Sequence, residues 1–459
     1  MYAPRTTPWP LVALFTAGYL APYLLPTTVG RLERGLDLTP TQAGGVGSLL
    51  LLSSATAGFL LASRVERTGA RTLARLGLVL AAVGYGGAAL TTSVPAVVAG
   101  AVVGGFGSGT ATTVAATRIA AEKDPHRASA LGLLSVSALA GGVYLTVPHL
   151  PGHGLTLAAI ALTALAVWPL TARLPGGTVG AAGTARPSGT AGSAAVGSAE
   201  ADGSDAGRLP YRRSGMVLAG AMLLWSLAQN ALWGVSGRIG VGQAHLSEPT
   251  VGVVFAVALG AGLLGVLGAG ALGSRLGRAL PIGGGTVVIA GCIALSASAT
   301  GLGSFAFGEI AWNTFYPVVL SYLIGLAASL DARGRWAVLV GSASSLGTAA
   351  GPLTGSVLSA QAGFPVMGAV LAVGLLLVAV PMTGVALHAG GRALLPGAVR
   401  RRGGHAAAVV AATTGTPSGA VPEVGAPEQS VVEIPLDAAA VPARGAYDTA
   451  AATRAPGGV

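Results

Sequence analysis

One glutamate and one asparagine lie inside a stretch of the chain that is otherwise apolar and aromatic. The stretch FAFGEIAWNTFYPVVLSYLIG covers residues 305–325 and contains Glu309 and Asn313. A charge at the middle of a bilayer costs at least about 2.5 kcal/mol on insertion scales, so an acid within a spanning segment is a candidate functional group. A carboxyl group in such a place can take up and release a proton, which is the chemistry of a proton relay.

The position of Glu309 leaves two interpretations open. In the first, the carboxyl group lies within the bilayer and takes part in proton exchange. In the second, the helix begins later than residue 304, and the carboxylate lies at the headgroups near the positive end of the helix dipole. Glu309 follows Ser304 by only five residues, so both interpretations fit the sequence.

Three helical stripes combine polar and aromatic side chains. Positions i, i+3, i+4 and i+7 lie on one face of a helix. The stripes are Glu309, Trp312, Asn313 and Tyr316; Ser226, Gln229, Asn230 and Trp233; and Tyr19, Pro22, Tyr23 and Pro26. A helix rises ~1.5 Å per residue, and counting from the segment ends places Tyr23, Gln229 and Glu309 at one depth.

The composition of the whole chain is that of a membrane protein. Of its 459 residues, 52% are hydrophobic and 9% charged, whereas about a quarter of a soluble domain is charged. When twelve segments alternate across the membrane, all but three of the 26 Lys and Arg residues fall on one side. The exceptions are Arg31, Arg34 and Arg238. The net charge of +10 therefore reflects the positive-inside rule and not nucleic-acid binding.

Twelve segments have the length of about 20 apolar residues that a bilayer requires. They cover residues 9–30, 40–62, 73–91, 95–117, 128–148, 154–172, 214–236, 249–272, 281–300, 304–328, 338–359 and 364–388. The tract after the sixth segment is rich in Gly, Ala, Ser and Thr and has too few large apolar side chains to fold. We predict two six-helix halves, at residues 1–174 and 214–390. A flexible cytoplasmic linker, residues 175–213, is expected to join them, and a disordered cytoplasmic tail, residues 391–459, is expected to follow.

A weak internal repeat supports two related halves. One ungapped shift of 208 residues matches residues at three separate places: Leu38 with Leu246, Arg67 and Gly69 with Arg275 and Gly277, and Arg127 with Arg335. Single matches mean little in so biased a composition, but their shared register favours a duplicated six-helix unit.

The loops around the paired residues Arg67 and Arg275 resemble a signature of the major facilitator superfamily of secondary transporters. That signature is roughly Gly-x-x-x-Asp-Arg-x-Gly-Arg-Arg, and the loops read ASRVERTGARTLAR (62–75) and GALGSRLGR (270–278). The matching residues are Glu66, Arg67, Gly69 and Arg71, then Arg275, Gly277 and Arg278. The resemblance implies a gating role, in which the loops latch the halves together in the outward-facing state. Plain anchoring of helix ends by arginines is the alternative.

The resemblance covers residues 9–388 and implies an all-α fold of 12 transmembrane helices in two pseudo-symmetric six-helix bundles. Helices one, four, seven and ten line the central cavity in the family, so the three stripes are expected to form a substrate and proton-coupling site. Residues 334–355 resemble helix eleven of the family. Its expected packing and hinge residues are Gly347, Gly351, Pro352 and Gly355.

These features predict a proton-coupled exporter of small organic compounds that works by alternating access. The single lysine, Lys123, among 25 arginines indicates a GC-rich bacterial genome, so we expect a multi-pass protein of the bacterial inner membrane with both termini cytoplasmic. A monomer without cofactor or metal is expected. Uptake of a neutral solute such as a sugar, and a sensor or scaffold that has lost transport, remain alternatives. No nucleophile, base and orienting group occur at plausible spacing, so no enzyme is predicted.

Overall fold

The computed structural model of the chain describes residues 9–122, 124–174, 211–272, 276–331 and 334–389. The predicted linker, apart from residues 211–213, and the predicted tail lie outside the described residues. The helices are α1 (Trp9–Tyr23), α2 (Leu25–Gly35), α3 (Pro40–Leu61), α4 (Val65–Thr68), α5 (Ala70–Leu90), α6 (Val94–Ala120), α7 (Pro125–Thr146), α8 (Leu155–Val167), α9 (Arg212–Arg238), α10 (Glu248–Leu272), α11 (Ala279–Ala297), α12 (Leu302–Ser329) and α13 (Arg335–Ala389).

The described residues contain ten helices that are long and apolar enough to cross a membrane, or eleven if the bent pair α1 and α2 forms one span. Helix α13 has 55 residues and breaks at Gly363, where φ is 79° and ψ is 165°. Only glycine adopts this backbone conformation without strain. Counting the two arms of α13, residues 335–362 and 364–389, as separate spans gives the predicted twelve crossings.

The first predicted segment, residues 9–30, is divided into two helices that meet at 51°. Pro26 lies in the first turn of α2, and proline has no N–H to donate to the carbonyl four residues earlier. The carbonyl oxygen of Pro22 is therefore free of that helical bond. Proline accounts for both the bend and the available backbone acceptor.

Helix α6 packs closely because five of its six residues at 104–109, GGFGSG, are small. A Cβ atom at Gly105 would lie 2.4 Å from the carbonyl oxygen of Leu50 in α3, and one at Gly107 would lie 2.5 Å from that of Gly77 in α5. Small residues permit this close approach of helix backbones in a membrane. On the periphery, by contrast, large apolar side chains such as Leu377 and Val380 are about 70% exposed and face the lipid.

One end of the helix bundle is tied together by contacts between its loops. Arg31 of α2 donates hydrogen bonds to carbonyl oxygens in the α7–α8 connection. Gln243, which follows α9, donates to the carbonyl oxygens of Ala297 and Ala299 at the C-terminal end of α11. We call this the outer end, because the distribution of Lys and Arg predicts that it faces away from the cytoplasm. Residues 9–174 and 211–389 are called the N-terminal and C-terminal halves.

Candidate functional site

Glu309 lies seven residues inside α12, and its side chain is fully buried. Ser236 of α9 and Ser296 of α11 donate hydrogen bonds to its Oε1 atom at 2.8 and 2.6 Å. Its Oε2 atom is buried and has no hydrogen-bond partner among the described residues, nor does any ion pair of Glu309 occur among them. An unpaired buried charge is costly, so these surroundings suit a carboxyl group that changes its protonation state.

The aromatic residues of the α9 and α12 stripes form one cluster, together with Trp225 of α9, which the predicted stripe did not include. Trp225 stacks on Tyr316 with ring centroids 5.2 Å apart, and Trp312 contacts both Tyr316 and Trp233 at 5.8 and 5.6 Å. The indole N–H of Trp312 donates a hydrogen bond to Oε1 of Gln229. The Nε2 atom of Gln229 is buried without a partner among the described residues, which leaves a donor available within the cluster.

The third stripe, on α1, approaches this cluster from the N-terminal half. Tyr19 and Tyr23 contact each other with ring centroids 5.4 Å apart. The indole N–H of Trp233 donates a 3.0 Å hydrogen bond to the carbonyl oxygen of Pro22, which is the acceptor left free by Pro26. Because this bond joins α9 to α1, it is one of the contacts that hold the two halves together.

The two predicted asparagines form hydrogen bonds within the C-terminal half. The side-chain amide of Asn313 donates to the carbonyl oxygen of Glu309 at 2.9 Å. The amide of Asn230 donates to the carbonyl oxygen of Ser226 and, at 3.2 Å, to the hydroxyl oxygen of Thr348 in α13. Asn230 therefore lies at the contact between α9 and α13.

Glycines of α13 form that same contact. Cβ atoms at Gly347 and Gly355 would lie 2.1 and 2.2 Å from carbonyl oxygens of α9, and one at Gly351 would lie 2.5 Å from Cβ of Asn230. Pro352 lies between α9 of its own half, at Gly234, and α3 of the other half, at Gly44. The N–H of the next residue, Leu353, donates a 2.9 Å hydrogen bond to the hydroxyl of Ser48 in α3. The predicted packing residues thus lie on a face against α9, and the predicted hinge lies between the halves.

The outer end holds two ion-pair clusters between the halves. In the first, Glu248 at the start of α10 accepts from Arg31 at 3.1 Å and from Arg34 at 2.6 Å. Arg31 is only 7% exposed, and it also donates to three carbonyl oxygens of its own half, at Val147, Leu150 and Gly152.

In the second cluster, Arg238 at the end of α9 pairs with Glu33 of α2 at 3.4 Å. Arg238 also donates to the hydroxyls of Ser356 and Ser359 and lies over the ring of Phe364, all in its own half. Arg31 and Arg238 therefore each have hydrogen-bond partners within their own half in addition to the ion pair with the other half.

The predicted gating loops have related turns. Gly69 and Gly277, which the repeat pairs, have φ angles of 92° and 64°, a region that glycine adopts readily. Arg71 donates to the carbonyl oxygen of Leu174, and Arg278 donates to the hydroxyl of Ser329 at 2.5 Å. These bonds lie within single halves.

The structure describes the other three predicted gating residues only in part. Arg67 is exposed. Arg275 and the side chain of Glu66 lie outside what the structure describes. The latch between the halves therefore stays a prediction.

Comparisons with known proteins identify the architecture. A model of the Major Facilitator Superfamily matches residues 10–147. The human organic anion transporter MFSD10 (TETRAN) has a similar structure, with a TM-score of 0.58 and 17% identity over 83% of this chain and 100% of that chain. A mutant of the nucleoside transporter NupG matches with a TM-score of 0.61 and 14% identity over the same shares. The chain has the fold of the major facilitator superfamily. No curated protein matches the sequence significantly.

The superfamily resemblance and the all-helical polytopic fold predicted from the sequence are thereby confirmed. The sequence reasoning missed the two serines that bind Glu309 and the acidic partners of the outer arginines. Ser236 had a signal, because it follows Gln229 by seven residues and lies on the same face of α9. Ser296 had none, since it lies in an ordinary apolar segment.

Proposed function

We propose that this protein is a secondary active transporter of the major facilitator superfamily that exports small organic compounds in exchange for protons by alternating access. The observation that carries the proposal is Glu309, a fully buried carboxyl group with two hydroxyl donors on one oxygen and no described ion-pair partner. Acids within membrane spans commonly belong to proton relays. In this scheme Glu309 exchanges its proton as substrate binds and leaves.

The aromatic cluster supports a substrate with an apolar or aromatic body. Trp312, Tyr316 and Trp233 offer ring surfaces, while Gln229 offers an amide donor without a described partner. Sites for small organic ligands combine such apolar walls with a few polar groups. The described contacts of this cluster include no basic side chain that would hold an anionic nutrient.

The outer ion pairs support a state that is closed at the outer end and able to open. Opening must separate Glu248 from Arg31 and Glu33 from Arg238. Arg31 would keep its carbonyl partners, and Arg238 would keep its serine hydroxyls. Neither buried arginine is then left without hydrogen bonds, which lowers the cost of breaking the pairs. Rigid-body movement of the halves fits this arrangement.

Uptake of a neutral solute is the second candidate. Two observations favour it: the structural similarity to a nucleoside transporter, and the unpaired amide donor of Gln229 inside the aromatic cluster. Amide groups recognise neutral polar solutes through hydrogen bonds. In either direction, we propose a monomer in the bacterial cytoplasmic membrane with both termini inside.

Reconstituted vesicles test the proposal. Wild-type protein and the Glu309→Gln variant are screened against labelled amphiphilic compounds and neutral solutes, with a pH gradient imposed in each direction. We expect the wild type to move an amphiphilic compound across the membrane in the direction opposite to the flow of protons. Glu309→Gln is expected to lose this driven flux but to retain exchange of the compound without a gradient.

Other results separate the alternatives. Flux of a neutral solute in the same direction as protons would replace export by uptake. Absence of flux for the whole panel would favour a non-transporting scaffold. Undiminished driven flux in Glu309→Gln would remove Glu309 from the coupling mechanism.

A further inference from the structure

Residues 233–238 of α9, which we call the α9 coupling segment, contact both Glu309 and the other half of the protein. Trp233 donates a hydrogen bond to the carbonyl oxygen of Pro22 at 3.0 Å, and Ser236 donates to Glu309 at 2.8 Å. Arg238 pairs with Glu33 at 3.4 Å. The side chains of these three α9 residues are at most 8% exposed.

The three contacts are mechanically linked because the segment is short. An α-helix has about 3.6 residues per turn, so Trp233, Ser236 and Arg238 lie within two turns. Close-packed helices transmit small displacements instead of absorbing them. A shift of Ser236 relative to Glu309 therefore also moves Trp233 and Arg238 relative to the N-terminal half.

We infer that the α9 coupling segment links Glu309 to closure of the outer end, with Ser236 as the positioning residue. While Ser236 donates to Glu309, the segment holds Trp233 and Arg238 where they reach α1 and α2. Loss of that hydrogen bond releases the segment and favours opening of the outer end. This inference rests on the proposed alternation between two states, and it assigns Ser236 a role distinct from that of Glu309.

Ser296 provides a matched control within the same site. It donates to the same Oε1 atom of Glu309 at 2.6 Å and is as fully buried as Ser236. It belongs to α11, which contributes none of the contacts between the halves described above. Ser236→Ala and Ser296→Ala therefore each remove one hydroxyl donor from the same oxygen of Glu309, but only the first acts on the α9 coupling segment.

The experiment measures distances across the outer end of the purified full-length protein. Spin labels are attached to cysteines at Thr41 and Gln361, two exposed positions in opposite halves near the contact of Gly44 with Ser356. The native Cys292 is buried and is replaced by alanine. Double electron–electron resonance then gives the ratio of open to closed outer ends without substrate or a pH gradient.

We expect Ser236→Ala to raise the open-to-closed ratio about threefold or more, the effect of losing one hydrogen bond. Ser296→Ala is expected to leave the ratio within about twofold, since its bond to Glu309 is not made from α9. Trp233→Phe removes the donor to Pro22 without touching Glu309 and is expected to raise the ratio as well. Equal shifts for the two serine variants, or no shift for Ser236→Ala, would overturn the inference.

The distance measurement tests the inference about Ser236, and the flux measurement tests the proposed transport, so either can fail without the other. A shift specific to Ser236→Ala in a protein that moves no compound would uphold the inference and remove the transport proposal. Proton-driven flux in a protein whose outer end does not respond to Ser236→Ala would uphold transport and overturn the inference.

Discussion

Replacement of Gly347 by alanine tests the contact between α9 and α13 directly. The added Cβ atom would lie 2.1 Å from the carbonyl oxygen of Leu223 and 2.9 Å from the backbone nitrogen of Leu227. Both neighbours are helix backbone, so no side chain can rotate away, and the helices must separate by about 1 Å. Overpacking of this kind costs about 1–3 kcal/mol. With two backbone contacts affected, we expect Gly347→Ala to lower stability by about 2 kcal/mol or more.

Gly341→Ala, in the same helix, is the control. A Cβ atom at Gly341 would meet no atom within 4 Å, and alanine is more favourable than glycine inside a helix by about 1 kcal/mol. This variant should therefore be as stable as the wild type or slightly more stable. Stability is measured as the temperature at which half of the detergent-solubilised protein remains monodisperse by size-exclusion chromatography. Equal midpoints for Gly347→Ala and Gly341→Ala would refute the close approach of the two helices.

Two further predictions concern the outer end. Arg31→Gln should destabilise the protein by about 2–3 kcal/mol, because it removes several charged hydrogen bonds. Arg34→Gln should cost less than about 1 kcal/mol, because the side chain of Arg34 is 43% exposed. The same heating assay measures both variants, and equal losses of stability would contradict the buried position of Arg31. Glu33→Gln should raise the open fraction reported by the spin labels, and Arg238→Gln added to it should raise that fraction little further, because both remove one pair; fully additive effects would contradict the pairing.

Hydrophobic length predicted the spans well, and local backbone chemistry explains where the boundaries differ. Residues 9–30 were expected to form one segment, but Pro26 divides them into α1 and α2. Gly363 lies in the short interval predicted between the last two segments, where the structure has only a sharp break. Apolar content reports the thickness of the bilayer, whereas bends depend on single residues that deny or permit a backbone conformation.

The candidate site was less predictable because its contacts depend on tertiary arrangement. Helical spacing placed Glu309 and Trp312 on one face, but it gave no information on which helix that face would meet. The partner of the carboxyl group on α11, Ser296, is distant in the sequence from the α9 stripe. The ion pairs at the outer end likewise join α2 to α9 and α10. They could not be predicted, because the sequence gives the charge of each side chain but not the residue that it pairs with.

Proton release on substrate binding tests the role of Glu309 most directly. A compound identified by the flux screen is added to purified protein in weakly buffered detergent solution that contains a pH indicator. We predict that the wild type releases a proton as the compound binds, while Glu309→Gln binds the compound and releases none. Equal proton release by the two proteins would contradict the assignment of Glu309 as the proton-coupling group.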